Sequence, residues 1–378
     1  MVSPRRLLVL ITKISDHGGI ETYSRRFLDE LGIYCNDCSI DVILLRNHES
    51  AGIASNTGDF DTIWCCGGGS RLKTILLYVF RLFYCCIFRR PHLIVSNHID
   101  MLRPYYFMHH VMRIPYVLVV YGVDAWRMSR FSRQIVAHSR RLASISEFTT
   151  KRVKAQLASA FPISYLPPTV DANRFQPGSP TVDVRAMHDL SANDCVVLCV
   201  CRFAASEQYK GYDCLLRAWP SVLKRIKNAR LLFVGKGNDL LRAKKLADAE
   251  GLNETVRFAG FVEADLLPDY YRACDVFAMP SVGEGFGIVF LEALACGKPV
   301  IAGDKDGSAD PLLKGELGIL INPLSVDELT EALIKAMTGD GPKHLYDSLW
   351  LRNHVIAAYG PQIFKERMRL FIDQSMEP

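Results

Sequence analysis

The sequence predicts an α/β fold made of two doubly wound halves that face each other across a cleft. The chain has 378 residues, 49% of them hydrophobic and 22% charged, which is the length of two ordinary domains. Apolar strand-like runs alternate with helical stretches, as in parallel sheets covered on both faces. The alternation restarts after Pro167 and Pro168, a pair that suits neither a helix nor a central strand.

Residues 1–168 are predicted to form the first domain, residues 169–355 the second, and residues 356–378 a terminal segment. The predicted strands are 7–11, 40–45, 62–66, 92–96, 116–121 and 142–146, then 195–201, 229–234, 255–259, 276–279, 299–302 and 318–321. The predicted helices are 21–31, 212–226, 239–249, 266–273, 287–295, 326–337 and 362–375. We expect the last of these helices to pack back on the first domain.

Charge is distributed unevenly between the two halves. Residues 1–170 carry 21 Lys and Arg against 12 Asp and Glu, whereas residues 171–378 carry 24 against 28. A basic half suits anionic lipid headgroups or nucleic acid, and solvated surface charge is the alternative. We expect contact with an anionic membrane surface and no nucleic-acid partner.

The segment 74–88 resembles a membrane span. It is apolar except for Arg81, but its 15 residues are too few to cross a bilayer, and a central Arg is costly there. Basic residues flank it, Arg71 and Lys73 before and Arg89 and Arg90 after. We predict a core helix whose exposed edge contacts a membrane surface.

Cysteine usage indicates a reducing compartment. The 12 cysteines are scattered, several inside apolar runs, which is typical of small buried side chains with reduced thiols. Cys35 and Cys38 form a single CxxC pair, and a zinc site is the alternative there. The apolar stretch that follows Arg6 ends at Lys13, too early for a secretory signal peptide. A cytoplasmic location is therefore expected, with peripheral contact at the inner face of the membrane.

The most informative segment is 281–293, SVGEGFGIVFLEA, which follows a predicted strand and leads into a helix. Its glycines allow close backbone approach to a ligand, and the N–H groups that begin the helix favour a diphosphate. Glu284 lies on the loop and Glu292 more than a turn into the helix. Two carboxylates beside an anion site suit the ribose, pyrophosphate and hexose of a nucleotide sugar. A glycine turn that only caps a helix is the alternative.

Two further segments supply groups for a diphosphate. Arg202 ends a predicted strand and Lys210 follows eight residues later, so both could neutralise phosphate charge, unless they are ordinary surface residues. The segment His17-Gly18-Gly19-Ile20-Glu21 is a glycine turn at a helix N-terminus, again suited to phosphate. Dinucleotide binding is weakly supported, because the full G-x-G-x-x-G pattern is absent.

In combination, these motifs resemble glycosyltransferase family 4. The resemblance rests on GEGFG…LEA, on GGIE at 18–21, on Arg202 with Lys210-Gly211, and on CDVFAMPS at 274–281. It covers residues 7–333 and is strongest across 195–325. It implies the GT-B architecture of two Rossmann-like domains and a retaining sugar transfer from a nucleotide diphosphate donor.

The resemblance also implies a role for each matching residue. Glu284 contacts hydroxyls of the donor sugar, Glu292 holds the ribose, and Arg202 and Lys210 neutralise the diphosphate. The remaining expected donor contacts come from backbone groups, those of Gly19, Val262, Phe286, Gly287 and Ile288. We assign Glu284, Arg202, Lys210 and Tyr121 to the catalytic set.

The sequence departs from the family pattern at two places. The loop between Arg202 and Lys210 is longer than is common in the family. Many members carry a His after the strand 116–120, where this chain has Tyr121, so the implied role passes either to the Tyr121 side chain or to its backbone carbonyl.

The implied reaction needs neither a cofactor nor a metal, because Arg202, Lys210 and the helix dipole offset the charge of the leaving diphosphate. No Asp-x-Asp pair stands in a plausible metal site, since Asp59-Phe-Asp61 precedes a strand and Asp304-Lys-Asp306 lies in a loop. Closure about Pro167-Pro168 is expected to exclude water.

We expect GDP-mannose as the donor, with a UDP-sugar next, and a glycan or polyprenyl-linked sugar as the acceptor in cell-surface polysaccharide synthesis. Two alternatives remain open. One is a nucleotide-sugar epimerase or hydrolase on the same fold, and the other is a non-catalytic module that binds nucleotide sugars.

Overall fold

The structure of the protein is a computed structural model that describes residues 5–14, 18–34, 38–48, 60–158 and 160–377. The chain folds into two compact units. The first comprises Met1–Pro168 together with Phe364–Pro378, and the second comprises Thr169–Ile363. The chain therefore leaves the first unit directly after the Pro167-Pro168 pair and returns to it within its last helix.

A parallel seven-stranded sheet forms the centre of the first unit, in the order β3-β2-β1-β4-β5-β6-β7. The strands are β1 (Arg5–Ile11), β2 (Cys38–Leu44), β3 (Thr62–Cys65), β4 (Leu93–Ser96), β5 (Tyr116–Val120), β6 (Arg141–Ser144) and β7 (Ile163–Tyr165). β4 and β5 are buried along their whole length, which explains why they are apolar runs in the sequence. The sequence interpretation missed β7, because three half-buried residues at a sheet edge leave almost no pattern.

Helices cover the faces of this sheet. They are α1 (Gly19–Tyr34), α2 (Arg71–Tyr84), α3 (Arg103–Tyr106), α4 (His109–Met112), α5 (Val123–Trp126), α6 (Arg130–Ala137) and α7 (Glu147–Lys154). Side chains such as Tyr78, Leu82 and Tyr105 join strands β1, β4 and β5 in one apolar core. The sequence predicted only α1 and α2 among these helices, because the others are short.

The second unit repeats the plan with a parallel six-stranded sheet in the order β10-β9-β8-β11-β12-β13. The strands are β8 (Cys195–Val200), β9 (Ala229–Val234), β10 (Val256–Gly260), β11 (Val276–Met279), β12 (Val300–Gly303) and β13 (Ile319–Ile321). The helices are α8 (Val184–Met187), α9 (Tyr212–Arg225), α10 (Leu240–Ala249), α11 (Leu267–Ala273), α12 (Ile288–Ala295), α13 (Val326–Thr338) and α14 (Ser348–Tyr359). The predicted α/β class with two doubly wound halves is confirmed.

The last helix, α15 (Pro361–Met376), packs in the first unit from Phe364 onward. The Phe364 ring lies edge-on to Tyr23 at 5.6 Å, and the Tyr34 hydroxyl donates to Asp373 at 2.5 Å. The sequence interpretation began the terminal segment at 356, which falls inside α14 of the second unit.

Both sheets reverse their strand order next to the first strand of each unit, between β1 and β4 and between β8 and β11. In open α/β sheets, ligands bind outside the carboxyl ends of the strands at such a switch point. In the second unit, Arg202 follows β8 and the 281–287 loop follows β11. The topology therefore brings the two most informative segments of the sequence to one edge of one sheet.

Candidate functional site

The segment between β8 and α9 carries two of the predicted cations. The loop between Arg202 and Lys210 contains a 3₁₀ turn at Ala205–Lys210. Gly211 ends this turn in a left-handed conformation with φ of 81°. A Cβ at Gly211 would collide with the carbonyl of Pro280, and the N–H of Val282 donates to the Tyr209 carbonyl at 2.8 Å. The loop after β8 is thus fastened to the loop after β11.

Four charged side chains form a continuous chain across these two loops. The Arg202 guanidinium forms an ion pair with Glu207 at 3.1 Å, Glu207 lies 3.9 Å from the Lys210 ammonium, and Lys210 pairs with Glu284. Lys210 and Glu284 are each only 14% exposed, whereas Arg202 is 57% exposed. Burial alone lowers the pKa of Lys210, but Glu284, Tyr209 and Glu207 outweigh it, so its pKa is raised and the ammonium stays charged.

Glu207 was not singled out from the sequence. It holds the partly exposed Arg202 beside the buried Lys210, which places two cations at one end of the sheet. The only signal that could have found it is its position inside the long loop, three residues before Lys210.

Asp306 fixes the loop that carries Glu284. The buried Asp306 carboxylate accepts from the Glu284 N–H at 2.7 Å, the Ser281 hydroxyl at 2.8 Å and the Ser308 N–H at 2.9 Å. Burial raises the pKa of Asp306, although these hydrogen bonds oppose the shift. A Cβ at Gly307 would collide with the Gly285 carbonyl, so glycine is needed for this close approach. The sequence interpretation placed Asp306 in a loop, rejected it as a metal ligand and missed this positioning role.

Helix α12 begins directly behind this loop. Gly287, with φ of 88°, is its N-cap, and Phe286 is buried and lies edge-on to Tyr359 at 5.4 Å. The first N–H groups of an α-helix, here those from Ile288 onward, have no acceptor within the helix. The N-terminus of α12 therefore presents N–H donors and the positive end of the helix dipole beside Glu284, as the predicted diphosphate contact requires.

Glu292 lies on α12 in an apolar setting. Its Oε2 accepts from the hydroxyl of the fully buried Tyr271 at 2.8 Å. Burial is the largest influence on this carboxyl and raises its pKa to about 7, against smaller effects of Tyr271 and Arg174. Among the described residues, Glu292 contacts neither Lys210 nor Arg202. Within the second unit, the predicted site therefore has two separate parts: the two loops that carry Arg202, Lys210 and Glu284, and the Glu292 carboxyl with its raised pKa.

Glu292 gives the ligand-free protein a pH dependence. Its folded pKa of about 7 lies above the ordinary 4.5, so between these values the folded chain holds a proton that the unfolded chain has lost. The free energy of unfolding therefore falls as the pH rises through that window. We expect Glu292→Gln to remove this loss, stabilising the protein at pH 8 relative to pH 5 by up to about 3 kcal/mol. Urea unfolding at both pH values measures it.

The exposed Glu250, at the end of α10, provides the control. Glu250→Gln should change stability by less than about 0.5 kcal/mol at either pH. An equal effect of Glu292→Gln at pH 5 and pH 8 would contradict the assignment of a raised pKa to Glu292.

Val262 follows the edge strand β10, at the same carboxyl edge of the second sheet. Next to Val262, the Lys236 ammonium lies over the Phe261 ring, 3.8 Å from its centroid. The Gly235 N–H donates to the Gly260 carbonyl at 2.7 Å. An aromatic ring therefore lies next to the residue for which a contact to a nucleobase was predicted.

In the first unit, Gly19 begins α1, and an added Cβ there would meet no described atom within 4 Å. Tyr121 follows β5 and its hydroxyl lies 3.4 Å from that of Ser24, which also accepts from Asn97 at 2.8 Å. Burial is the largest cause that raises the pKa of Tyr121, so it is a neutral phenol. The predicted His17 lies outside the described residues.

Two residues near Tyr121, Asp124 and Gly122, were given no role in the sequence interpretation. The Asp124 Oδ1 accepts from the N–H groups of Tyr121 and Gly122 at 3.1 and 2.8 Å. Its buried Oδ2 has no partner among the described residues. Gly122, with φ of 138°, allows this tight turn. The Asp124 carboxylate thus fixes the Tyr121 backbone at the carboxyl end of β5.

A cavity of the first unit, about 320 Å³, lies where β3 leads into α2. Its walls include Gly67, Gly68 and Gly69, and the basic side chains of Lys73 and Arg81. The Ser70 hydroxyl caps α2 by accepting from the Lys73 N–H at 3.3 Å. The sequence interpretation passed over this CGGGS segment, because it noted only the apolar run that follows.

Helix α2 is less buried than a core helix. Tyr78 and Leu82 are buried, but Leu72, Leu76 and Phe80 are 67%, 60% and 68% exposed. The helix continues into a π-helical turn at Cys85–Arg89. None of the described helices combines the length and apolarity needed to span a bilayer.

Among the described residues, no cluster of three or more His, Cys, Asp or Glu side chains is arranged to hold a metal ion. Asp59 and Cys35 lie outside the described residues, so the Asp59–Asp61 pair and the Cys35–Cys38 pair are not described. All described cysteines, including Cys38, are free thiols.

Comparison with known proteins gives a family match within the second unit. Residues 194–339 match the family "Glycosyl transferases group 1". The matched region contains Arg202, Lys210, Glu284 and Glu292.

Curated relatives share part of the chain. It is 34% identical over 224 residues to a GDP-mannose-dependent alpha-(1-6)-phosphatidylinositol monomannoside mannosyltransferase of Mycobacterium tuberculosis, covering 56% of this chain and 57% of the relative. It is 32% identical over 235 residues to a D-inositol 3-phosphate glycosyltransferase of Rhodococcus opacus, covering 58% and 52%. The chain thus spans little more than half the length of these relatives.

Among solved structures, a glycosyltransferase from Rickettsia africae aligns with 98% of this chain and 98% of its own, with a TM-score of 0.79 and 15% identity. This similarity shows the fold alone. The GT-B fold implied by the sequence motifs is confirmed.

Proposed function

We propose that this protein is a retaining, metal-independent glycosyltransferase that moves a hexose from a nucleotide diphosphate sugar to a glycan or lipid-linked sugar. The observation that carries the proposal is the pairing of Lys210 with Glu284 beside the N-terminus of α12, inside a glycosyl transferases group 1 domain.

Lys210, Arg202 and the N-terminus of α12 suit a pyrophosphate. In the ligand-free protein, Glu284 and Glu207 balance the two cations. A diphosphate that enters competes for the same cations, which releases the Glu284 carboxylate to accept hydrogen bonds from sugar hydroxyls. Glu292 would accept from the ribose in its ionised form, so donor affinity should rise as the pH rises through about 7.

In the proposed reaction the bond between the anomeric carbon and the diphosphate oxygen breaks. The acceptor oxygen forms the new bond on the same face, and its proton passes to an oxygen of the departing nucleotide diphosphate. Lys210, Arg202 and the α12 dipole stabilise the charge that develops on the leaving group. No metal is needed for this charge balance.

GDP-mannose is the proposed donor, because the mycobacterial relative is described as GDP-mannose-dependent. A UDP-sugar is the second candidate. The described acceptors of the relatives are a phosphatidylinositol mannoside and inositol 3-phosphate, which supports a polar, phosphorylated or lipid-linked acceptor.

The test is a donor screen followed by an acceptor screen. Incubation with GDP-mannose, UDP-glucose and UDP-galactose, with and without phosphatidylinositol or inositol 3-phosphate, should give nucleotide release that depends on the acceptor. Anomeric configuration read by proton NMR should be that of the donor. Release without any acceptor would favour the epimerase or hydrolase alternative, and binding without release the non-catalytic module.

We further propose that the first unit contacts the inner face of the cytoplasmic membrane through α2. Leu72, Leu76 and Phe80 recur every four residues and so share one exposed side of the helix. Arg71 and Lys73 precede this side and Arg90 follows it, where they can meet anionic headgroups.

Flotation with liposomes measures this contact. We expect the protein to float with phosphatidylglycerol vesicles, and Leu76→Glu with Phe80→Glu to weaken partitioning at least tenfold, because apolar burial and charge complementarity are both lost. Leu241→Glu, at a residue 66% exposed on α10 of the second unit, is the matched control. Equal flotation of all variants would contradict the proposed surface.

A further inference from the structure

A second basic cavity lies in the first unit, away from the residues discussed so far. Its volume is about 540 Å³. It is lined by three histidines, two arginines and two apolar residues, namely His109, His110, His138, Arg113, Arg140, Ile114 and Pro115. No carboxylate of the described residues lines it, so every ionisable side chain in its wall is a cation or becomes one on protonation.

The cavity lies at the edge of the sheet opposite Tyr121. Pro115 immediately precedes β5 and Arg140 immediately precedes β6, so the cavity is at the amino ends of these strands. Tyr121 follows the carboxyl end of β5, about 16 Å away for five extended residues. A ligand in this cavity therefore does not occupy the site around Tyr121.

The three histidines form one cluster. Their ring centroids are 4.8 Å apart for His109 and His110, 5.7 Å for His109 and His138, and 6.0 Å for His110 and His138. The Nδ1 of His138 lies 2.8 Å from the Gln134 carbonyl, so this nitrogen carries a proton. The buried Nδ1 of His109 has no hydrogen-bond partner among the described residues.

The cluster and its neighbours are poorly neutralised. Burial is the largest cause that lowers the pKa of His109. His110 and His138 lower it further, because a second positive charge in the cluster is unfavourable. Arg140 donates to the carbonyls of Ser375 and Glu377, which hold its guanidinium without cancelling its charge.

Arg113 adds a sign of strain in the wall of the cavity. Its φ of 53° is left-handed, a conformation that costs a residue with a side chain energy and that is concentrated at ligand sites. The Arg113 N–H closes α4 by donating to the His109 carbonyl at 2.8 Å, which ties the strained residue to the histidine cluster.

We propose that this cavity binds a phosphate group through the histidine cluster, Arg113 and Arg140. A phosphate supplies the acceptor oxygens that the cluster lacks, and its negative charge favours the protonated histidines. The ligand is either free phosphate or the phosphate of a lipid headgroup. Phe107 and Val111, which are 75% and 78% exposed beside His110, provide an apolar rim for the second source.

The site gives a pH dependence of defined sign. The charged groups that face the histidines are Arg113 and Arg140. Three tyrosines also face them: the Tyr106 hydroxyl lies 3.3 Å from His138 Nδ1, and the rings of Tyr105 and Tyr116 pack on His109 at 6.3 and 5.6 Å. Bound phosphate stabilises the imidazolium form of the cluster, so binding takes up protons and strengthens as the pH falls from 8 to 6. Phosphate itself titrates in this range, whereas the charge of sulfate is constant. The pH dependence of sulfate binding therefore reports the protonation of the protein alone.

The test follows histidine ring signals by NMR in the full chain, with inorganic phosphate and sulfate as probes. We expect the signals removed by His110→Gln to shift on phosphate addition, and to shift further at pH 6 than at pH 8. His110→Gln with Arg113→Gln should weaken binding at least tenfold, whereas Arg127→Gln, at an exposed residue of the same unit, should not. Melting temperatures close to that of the unchanged protein check folding.

Vesicles separate the two sources. If phosphatidic acid vesicles, but not phosphatidylcholine vesicles, shift the same signals, the ligand is a lipid headgroup; if only soluble phosphate does, it is a free anion. Histidine signals that respond to no phosphate source, or that respond equally in the double variant, overturn the proposal. The proposal does not rest on transferase activity, because its readout is local to the cavity.

Discussion

Lys210→Ala is expected to reduce turnover at least about 100-fold, and by up to about 1000-fold if this ammonium carries most of the leaving-group charge. The Lys210 side chain is 14% exposed and pairs with Glu284. Water that enters the space left by Lys210→Ala therefore cannot stabilise the negative charge of the leaving group as well as the ammonium does. Single-turnover kinetics with the donor and acceptor proposed above measure the chemical step directly.

Two variants sharpen this prediction. Lys245→Ala removes an exposed lysine from α10 and should leave turnover unchanged. Lys210→Arg keeps the charge but replaces a compact ammonium by a planar fork in a confined space, so we expect intermediate activity. Turnover of Lys210→Ala within threefold of the unchanged protein would remove this residue from the reaction.

Glu284→Ala is expected to lose at least about 100-fold in turnover while nucleotide affinity is kept. Asp306 accepts from the backbone N–H of Glu284, and Lys210 pairs with the Glu284 carboxylate, so the direction of this side chain is set before a sugar arrives. Its loss removes the acceptor for sugar hydroxyls but frees Lys210 for the diphosphate. GDP binding by calorimetry should therefore be equal or tighter.

The matched variant Glu284→Gln separates charge from hydrogen bonding. Its amide oxygen still accepts from a hydroxyl, but it no longer competes for Lys210 as an anion. We expect partial turnover and tighter GDP binding than in the unchanged protein. If Glu284→Ala keeps full turnover, or loses nucleotide binding together with turnover, the assignment of Glu284 to the sugar is wrong.

Most of the strands could be predicted from the sequence, because buried parallel strands are apolar on both faces and stand out as short continuous runs. β8 and β11 were placed within a residue or two, and with them the loops that follow. The short edge strand β7 and the short helices α3 to α7 were not predicted, since elements of three to eight residues carry too little periodicity.

Helix α2 shows a different limit. Its apolar composition predicted a core helix with an exposed edge, but it did not indicate that Leu76 and Phe80 would lie on that edge. Composition measures the transfer preference of the side chains, not whether neighbouring elements cover them. The same run of residues can be core or surface, and only the packing of Tyr78 and Leu82 decides which side is which.

By itself, the sequence determined the two parallel α/β units and the presence of Arg202, Lys210, Glu284 and Glu292 at strand ends and on a helix. Periodicity and glycine placement are local properties, so they can be detected without the fold. The tertiary structure alone decided the partners of these residues. Glu207 bridges the cations, Asp306 fixes the Glu284 loop from 22 residues away, and Tyr271 meets Glu292 in a site where burial raises the carboxyl pKa. Such contacts depend on strand order and side-chain direction, which no local pattern specifies.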